Sequence, residues 1–395
     1  MRTGHLLDKL LVKLVVATES RAGERRVAVV PDVAKRLIAK GWEVTIESGA
    51  GLRASFTDET YLSAGATIAE SAALYVGASA AVRVNAPTAD DLAALPDGLL
   101  LLSFFSPADS IDSLRALAQK RASVFSFDLL PRIGRAQGMD ALSSQATVTG
   151  YRAGLIAAES LPKFFPMFMT AAGTVPPAKV LVLGVGVAGL QAIATCRRLG
   201  AVVRAYDVRA AAKEETESLG ATFVDLGVSA EGAGGYARQL SDEELARQRE
   251  ALSAEVAASD VVITTAAVPG RRAPVLVTAD MVRAMAAGAV VVDVAADSGG
   301  NCESTRPGEV VDVAGTTVVG VSNPPAAMPM HASVLYARNV LNLLDLLGPE
   351  GSVDPQWNDE IVAGCCLLRD GQPGNDEVAE LLGLPAAGAG SGEAS

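Results

Sequence analysis

The sequence predicts an α/β protein with mostly parallel sheets, built as two domains joined by long helices. Three observations carry that expectation. Short Val/Leu/Ile runs without polar alternation recur along the chain, as in strands buried on both faces. Amphipathic segments such as VPDVAKRLIAKG (30–41) and DSLRALAQKR (112–121) lie between them. A chain of 395 residues exceeds the usual single domain, and one that is 50% hydrophobic can fill two cores.

Taken in order, the first strand run is LVKLVVA (11–17). A helix follows, opened by Pro31 and Asp32 and closed by Gly41, and Trp42–Glu47 enters the next strand. The runs ASAAVRVN, LLLLSFF and SVFSFDLL continue this first sheet, which spans Lys13 to Leu130. Tyr151 to Ala172 reads as one long helix. KVLVLGVG, VVRAYD, DVVITTA, AVVVDVAA and TTVVGVS form a second sheet from Lys179 to Ser322. A helix over 333–348 carries the chain back to the first sheet, where EIVAGCCLLRDGQ (360–372) adds a small strand pair. The expected domains are therefore 11–145 with 331–378, and 146–330. Residues 379–395, ending in PAAGAGSGEAS, read as a disordered tail.

A net charge of -12 excludes nucleic acid as a partner, because a phosphate backbone needs a basic face. Simple adsorption to anionic lipid is excluded on the same ground. Cys196, Cys302, Cys365 and Cys366 show no metal spacing and read as reduced thiols. With His5 and His331 the only histidines, a metal centre or a His-based triad has little to draw on. Asp8, Lys9 and Lys13 interrupt any signal-peptide core. The uncharged run Val180 to Cys196 has about the minimum length of a membrane span, but its three glycines favour a strand, a tight turn and a helix. The expected location is the cytoplasm.

KVLVLGVGVAGLQAI places Gly184, Gly186 and Gly189 in the pattern G-x-G-x-x-G. The pattern alone is weak, but here it follows a strand and opens a helix (187–199), and the next strand ends in Asp207 about 20 residues on. Gly184 permits the turn, Gly186 lets backbone approach a pyrophosphate, and Gly189 lets helix pack on strand. The helix N-terminus adds N–H donors and a positive dipole end. Asp207 suits both ribose hydroxyls of NAD and opposes a 2′-phosphate, although Arg209 stands close by in sequence. A dinucleotide site on the second sheet is expected on this basis, with NAD favoured over NADP. Asp293, Asp297 and Asn301, at the end of a later strand, either cap helices or line the crevice.

A last stretch is too polar for a plain connector. RIGRAQGMDALSSQ (132–145) carries Arg132, Arg135, Gln137, Asp140, Ser143, Ser144 and Gln145 between two apolar runs. Together with ERRVAVVPD, RVNAP, YDVRAAAKEE, GGYA, TTAAVPGRRAPVLVT and GGNCE, it resembles the soluble, NAD(H)-binding alpha subunit of proton-translocating NAD(P) transhydrogenase, of the alanine dehydrogenase/transhydrogenase superfamily. The resemblance covers about Lys13 to Gly371 and implies two Rossmann-like domains with an NAD cleft between them. It implies that Arg132, Gln137, Asp140 and Ser143 hold the nicotinamide ring, with an Arg132–Asp140 pair stiffening the loop. It implies further cofactor contacts at Gly138, Met139, Val187, Ala188, Val208, Arg209, Gly235, Tyr236, Gln248, Ala266 and Ala267. The segment 230–244 resembles a mobile loop hinged at Gly232, Gly234 and Gly235, with Tyr236 as its lid residue.

The implied reaction is Si-specific/Re-specific hydride transfer between NADH and NADP+, coupled to proton translocation. NADP(H) would sit on a beta subunit, and a small second alpha polypeptide would complete the membrane assembly. This chain would be a homodimer attached peripherally to the membrane through those partners. The alternative is a soluble alanine-dehydrogenase-like amino-acid dehydrogenase. In that pattern Arg26 matches the substrate-binding Arg, but Asn85 and Ser106 stand where the pattern has Lys and His, and neither performs general acid/base work.

Overall fold

The structure, a computed structural model, describes residues 12–107, 110–227, 241–267 and 272–384. It divides into two compact units, residues 1–144 with 328–395 and residues 145–327.

The strands are β1 Val12–Val16, β2 Trp42–Glu47, β3 Thr67–Ala69, β4 Ala80–Val82, β5 Leu100–Ser103, β6 Ser123–Ser126, β7 Phe168–Thr170, β8 Gly173–Val175, β9 Lys179–Leu183, β10 Val202–Tyr206, β11 Thr222–Phe223, β12 Val261–Thr264, β13 Val290–Asp293, β14 Val310–Val313, β15 Thr316–Gly320, β16 Cys366–Arg369 and β17 Gln372–Pro373. In the first unit they form one sheet in the order β17-β16-β6-β5-β4-β1-β2-β3. β1 to β6 run parallel, and β16 and β17 close the edge antiparallel. Val15 and Leu14 in β1 are both fully buried, although they point to opposite faces. That is why these strands read as unbroken apolar runs. Separate clusters fill the two faces, one around Leu37, Tyr61 and Tyr336, the other around Leu101, Phe105 and Leu117.

The second unit repeats the plan. Its sheet has the order β11-β10-β9-β12-β13-β15-β14, parallel except for the β14–β15 edge pair. Here too both faces are covered, by clusters centred on Ile193 and Ile263 and on Leu252 and Val291. In each unit the first strand lies inside the sheet, and the chain moves outward on one side before returning to the other. That reversal creates a crevice beside the first strand's C-terminal end, where ligands of open α/β sheets bind. In the second unit it lies between β9 and β12.

Three details differ from the sequence expectation. The long helix runs Ala141–Ser160, not 151–172. It begins earlier because Asp140 caps it, and Pro162 and Pro166 keep it from continuing; β7 and β8 form a hairpin instead. In the segment 360–372, Glu360–Cys365 is a helix, and only Cys366–Arg369 and Gln372–Pro373 are strands. Residues 379–384 are not tail. The helix Asp376–Leu382 is capped by the Asn375 side chain on the Val378 N–H at 2.9 Å and buries Val378 and Ala379. Residues 385–395 lie outside the described residues. No helix of the described residues is long and apolar enough to cross a membrane, and Val180 to Cys196 resolves into β9, a turn and the helix Val187–Arg198.

Candidate functional site

The glycine turn leaves β9 at Leu183 and enters the helix Val187–Arg198. Gly184 has φ +95°, a conformation that costs an L side chain strain. A Cβ on Gly189 would lie 2.0 Å from the Gly184 carbonyl oxygen, so the helix sits against the turn only because Gly189 has no side chain. A Cβ on Gly186 would meet nothing within 4 Å. The turn is thus closed on the sheet side and open where a pyrophosphate would approach. No side chain caps the helix, and Gly186 and Val187 are exposed. First-turn N–H groups and the positive end of the dipole face that open space. The arrangement fits a dinucleotide. Gly150, in the helix Ala141–Ser160, supports the turn from behind: a Cβ there would lie 2.0 Å from the Ala188 carbonyl oxygen.

Asp207 follows β10, as its spacing predicted. Its carboxylate accepts the Val185 N–H at 2.7 Å, which ties the glycine turn to the second strand. It also accepts the Arg209 N–H and Nε at 2.9 Å each and Nη2 at 2.8 Å. The side chains are 9% and 25% exposed. Burial alone would raise the Asp207 pKa, but the hydrogen bonds from Arg209 and the Val185 N–H outweigh it and hold the carboxyl below its ordinary range. Val208 is half-buried beside the pair.

At the end of β12 the Ala266 backbone is clamped by Asn301. Asn301 Oδ1 accepts the Ala266 N–H at 2.9 Å, and Nδ2 donates to the Ala266 and Pro274 carbonyls at 2.7 and 2.8 Å. Asn301 is itself fixed by Asp293, whose Oδ2 accepts the Asn301 and Cys302 N–H groups and the Thr305 hydroxyl. Asp297 accepts the Asn323 N–H at 2.8 Å. All three residues therefore build loops through backbone groups. Ala267 is exposed. Gln248 is buried and donates to the Tyr206 hydroxyl at 3.1 Å, with its Oε1 unpartnered among the described residues. Gly232, Gly234, Gly235 and Tyr236 lie outside the described residues.

In the first unit, residues Gly134–Met139 form a 3-10 turn that leads into the helix Ala141–Ser160. Ala136 and Met139 anchor it in the core, while Arg132, Gln137 and Gly138 are exposed. The expected Arg132–Asp140 pair is not formed. Asp140 stands at the helix N-terminus, so its oxygens go to the third helical residue, accepting the Ser143 N–H at 2.9 Å and the Ser143 hydroxyl at 2.6 Å. Two residues that the sequence reading missed hold the turn. Asn339 and Asn342, on the helix Pro329–Leu347, both donate to the Gly138 carbonyl, at 3.0 and 2.7 Å. Their signal was present: two asparagines three apart on a helix that is mostly apolar. The Gln137 side chain makes no hydrogen bond among the described residues and stays available.

The loop after β1 in the first unit lacks the G-x-G-x-x-G pattern. Polar side chains fill the crevice beside β1. Arg26 donates to Glu24 at 2.8 and 2.6 Å, and the Asn85 amide donates to Glu19 at 3.0 Å and Glu24 at 3.1 Å. Burial pushes the Glu19 pKa up, ahead of the opposing pull of Arg83. Burial has the same tendency at Glu24, but the Arg26 hydrogen bonds and charge win and hold it at about 2. Asn85 is fully occupied as a donor and has no proton to exchange near neutral pH.

Two Rossmann-ordered sheets, one with an open glycine turn and an acid at the next strand's tip, define a two-domain dinucleotide-binding protein of the α/β class. The chain belongs to the alanine dehydrogenase/PNT family: the N-terminal domain matches residues 15–149 and the C-terminal domain residues 153–375. It is similar to the first portion of NAD(P) transhydrogenase subunit alpha from Rhodospirillum rubrum, 44% identical over 375 residues, covering 91% of this chain and 97% of that one. The crystal structure of transhydrogenase from Sinorhizobium meliloti superimposes with a TM-score of 0.83 at 40% identity, covering 91% of this chain and 99% of that one. Alanine dehydrogenase of Halomonas elongata is more distant, 28% identical over 94% of this chain and 97% of its own length.

Proposed function

We propose that this chain is the NAD(H)-binding component of a proton-translocating NAD(P) transhydrogenase, acting with a partner beta subunit that holds NADP(H). The observation that carries the reading is the glycine turn tied to Asp207 through the Val185 N–H. The helix N-terminus at Val187–Gly189 binds the pyrophosphate, and Asp207 orients the adenosine ribose. Arg132, Gln137, Asp140 and Ser143 present donors and acceptors that fix the rotation of the nicotinamide carboxamide. NADH, when bound, supplies a hydride. Passing it to a second nicotinamide needs neither a general acid nor a metal ion, only two rings held in contact with water excluded. A fixed 3-10 turn with one unengaged amide, Gln137, suits that positioning task.

The names of the relatives imply further subunits, and we propose a homodimer held at the membrane by a small second alpha polypeptide and the beta subunit. The amino-acid dehydrogenase reading is disfavoured by Asn85, which donates to two carboxylates where a proton carrier is required. The test is an absorbance assay. Hydride transfer from NADH to an oxidised NADP analogue is expected only when the partner's NADP(H)-binding component is added. Rapid reduction of pyruvate plus ammonia by the chain alone would overturn the proposal.

A further inference from the structure

Asp207 has no acceptor position to spare. A carboxylate offers about four lone-pair sites, and four donors reach this one: the Val185 and Arg209 N–H groups and the Arg209 Nε and Nη2. Ribose hydroxyls reach it only by replacing donors. The two backbone donors are fixed by the turn and by the strand end. The guanidinium is the one that can leave, and with a quarter of its side chain exposed it has a way out. Glu215 adds a second attraction on the Arg209 charge from the neighbouring helix Ala212–Ser218.

We propose that Arg209 is a latent receptor for a 2′-phosphate, kept out of that role by Asp207, so that the pair rather than Asp207 alone sets the choice between NADH and NADPH. The inference rests on the NAD(H) reading of the glycine turn. In the resting protein the pair is neutral, so a bare carboxylate does not repel the phosphate from a distance. Discrimination arises on docking. A ribose diol donates to Asp207 and takes over the bonds that the guanidinium gives up. A 2′-phosphate has no such donor, so it either leaves Arg209 clamped and unavailable or strips it away and faces an unpaired carboxylate. Remove the charge at 207 and the constraint disappears: the planar guanidinium fork, already beside the ribose position, matches a phosphate bidentately.

The test is calorimetric titration of the full-length chain with NADH and with NADPH, on wild type, Asp207→Asn, Arg209→Gln and the double variant. Asn keeps an acceptor for the Val185 N–H, and melting curves report whether each variant is folded. Asp207→Asn is expected to weaken NADH and to tighten NADPH by about tenfold or more, the worth of a charge-assisted hydrogen bond. The double variant is expected to lose that gain, and the gain is expected to shrink with added salt. Arg209→Gln alone is expected to show no gain in NADPH affinity. A folded Asp207→Asn without the NADPH gain overturns the proposal, as does a double variant that keeps it. If Asp207→Asn does not fold, Asp207→Ser takes its place, alone and combined with Arg209→Gln, with the same NADPH gain and the same loss of it expected and the same results overturning the proposal. Absence of NADH binding by wild type would instead sink the underlying reading of the site.

Discussion

Asn342 donates its side-chain N–H to the Gly138 carbonyl at 2.7 Å, across 204 positions of sequence. Asn339 donates to the same oxygen and accepts the Ser144 hydroxyl at 2.8 Å. The turn that bears Gln137 is therefore pinned to a buried helix. Replacing both asparagines by Ala leaves Gly138 without either partner. Single-turnover hydride transfer with the NADP(H)-binding partner is expected to fall by about tenfold or more, since small misplacement at a reacting pair is costly. NADH affinity should change far less. An unchanged rate would mean that Ala136 and Met139 position the turn by packing alone.

The glycines of the turn separate folding from binding. Gly186→Ala adds a methyl that meets nothing in the protein. It should leave the melting temperature unchanged and weaken NADH by about tenfold or more, because the added carbon occupies the space a pyrophosphate needs. Gly189→Ala forces a carbon against the Gly184 carbonyl and should lower stability by about 1–3 kcal/mol. Thermal melts and NADH titration of both variants check this; equal melting temperatures would contradict it.

Glu24 predicts an acid-sensitive first unit. Its folded pKa of about 2 lies below the ordinary 4.5. The stability it contributes is therefore complete above about pH 4.5 and is lost as pH falls toward 2, on the order of 3 kcal/mol in all. Glu19, with its pKa raised, acts in the opposite sense, contributing stability that fades as pH rises. In Glu24→Gln, chemical denaturation across pH 2–5 should show a flatter acid limb and lower stability at pH 7. An acid limb as steep as wild type would show that other carboxylates control it.

Gln137→Asn shortens by one methylene the single unengaged amide of the turn. The proposed contacts at Gly184–Gly189 and Asp207 are untouched, so NADH affinity should drop by no more than about 1 kcal/mol. The transfer rate should drop by up to about a hundredfold. A rate within about twofold of wild type would make the turn a structural hinge, and parallel collapse of binding would make it a clamp on the cofactor rather than a register device.

Local chemistry made much of this legible. β9 and β13 announce themselves as Val/Leu runs because both faces of a parallel strand are buried, and the spacing from Gly184 is enough to place Asp207. What sequence could not give was set by contacts between distant residues. The Asn339 and Asn342 bonds to Gly138 join segments about 200 positions apart. The helix expected over 151–172 lies elsewhere because its start depends on Asp140 reaching Ser143 and its end on Pro162. Spacing alone leaves Asp207 open to a ribose; its capture by Arg209 depends on a side-chain conformation that spacing does not determine.

The central claim is that the Gly184–Asp207 half-site selects NADH. Calorimetric titration of the purified wild-type chain with NADH and with NADPH tests it most directly. Saturable NADH binding at least about tenfold tighter than NADPH is the expected result, as an acid at the tip of β10 requires. Equal affinities, tighter NADPH binding, or no binding of either would contradict it.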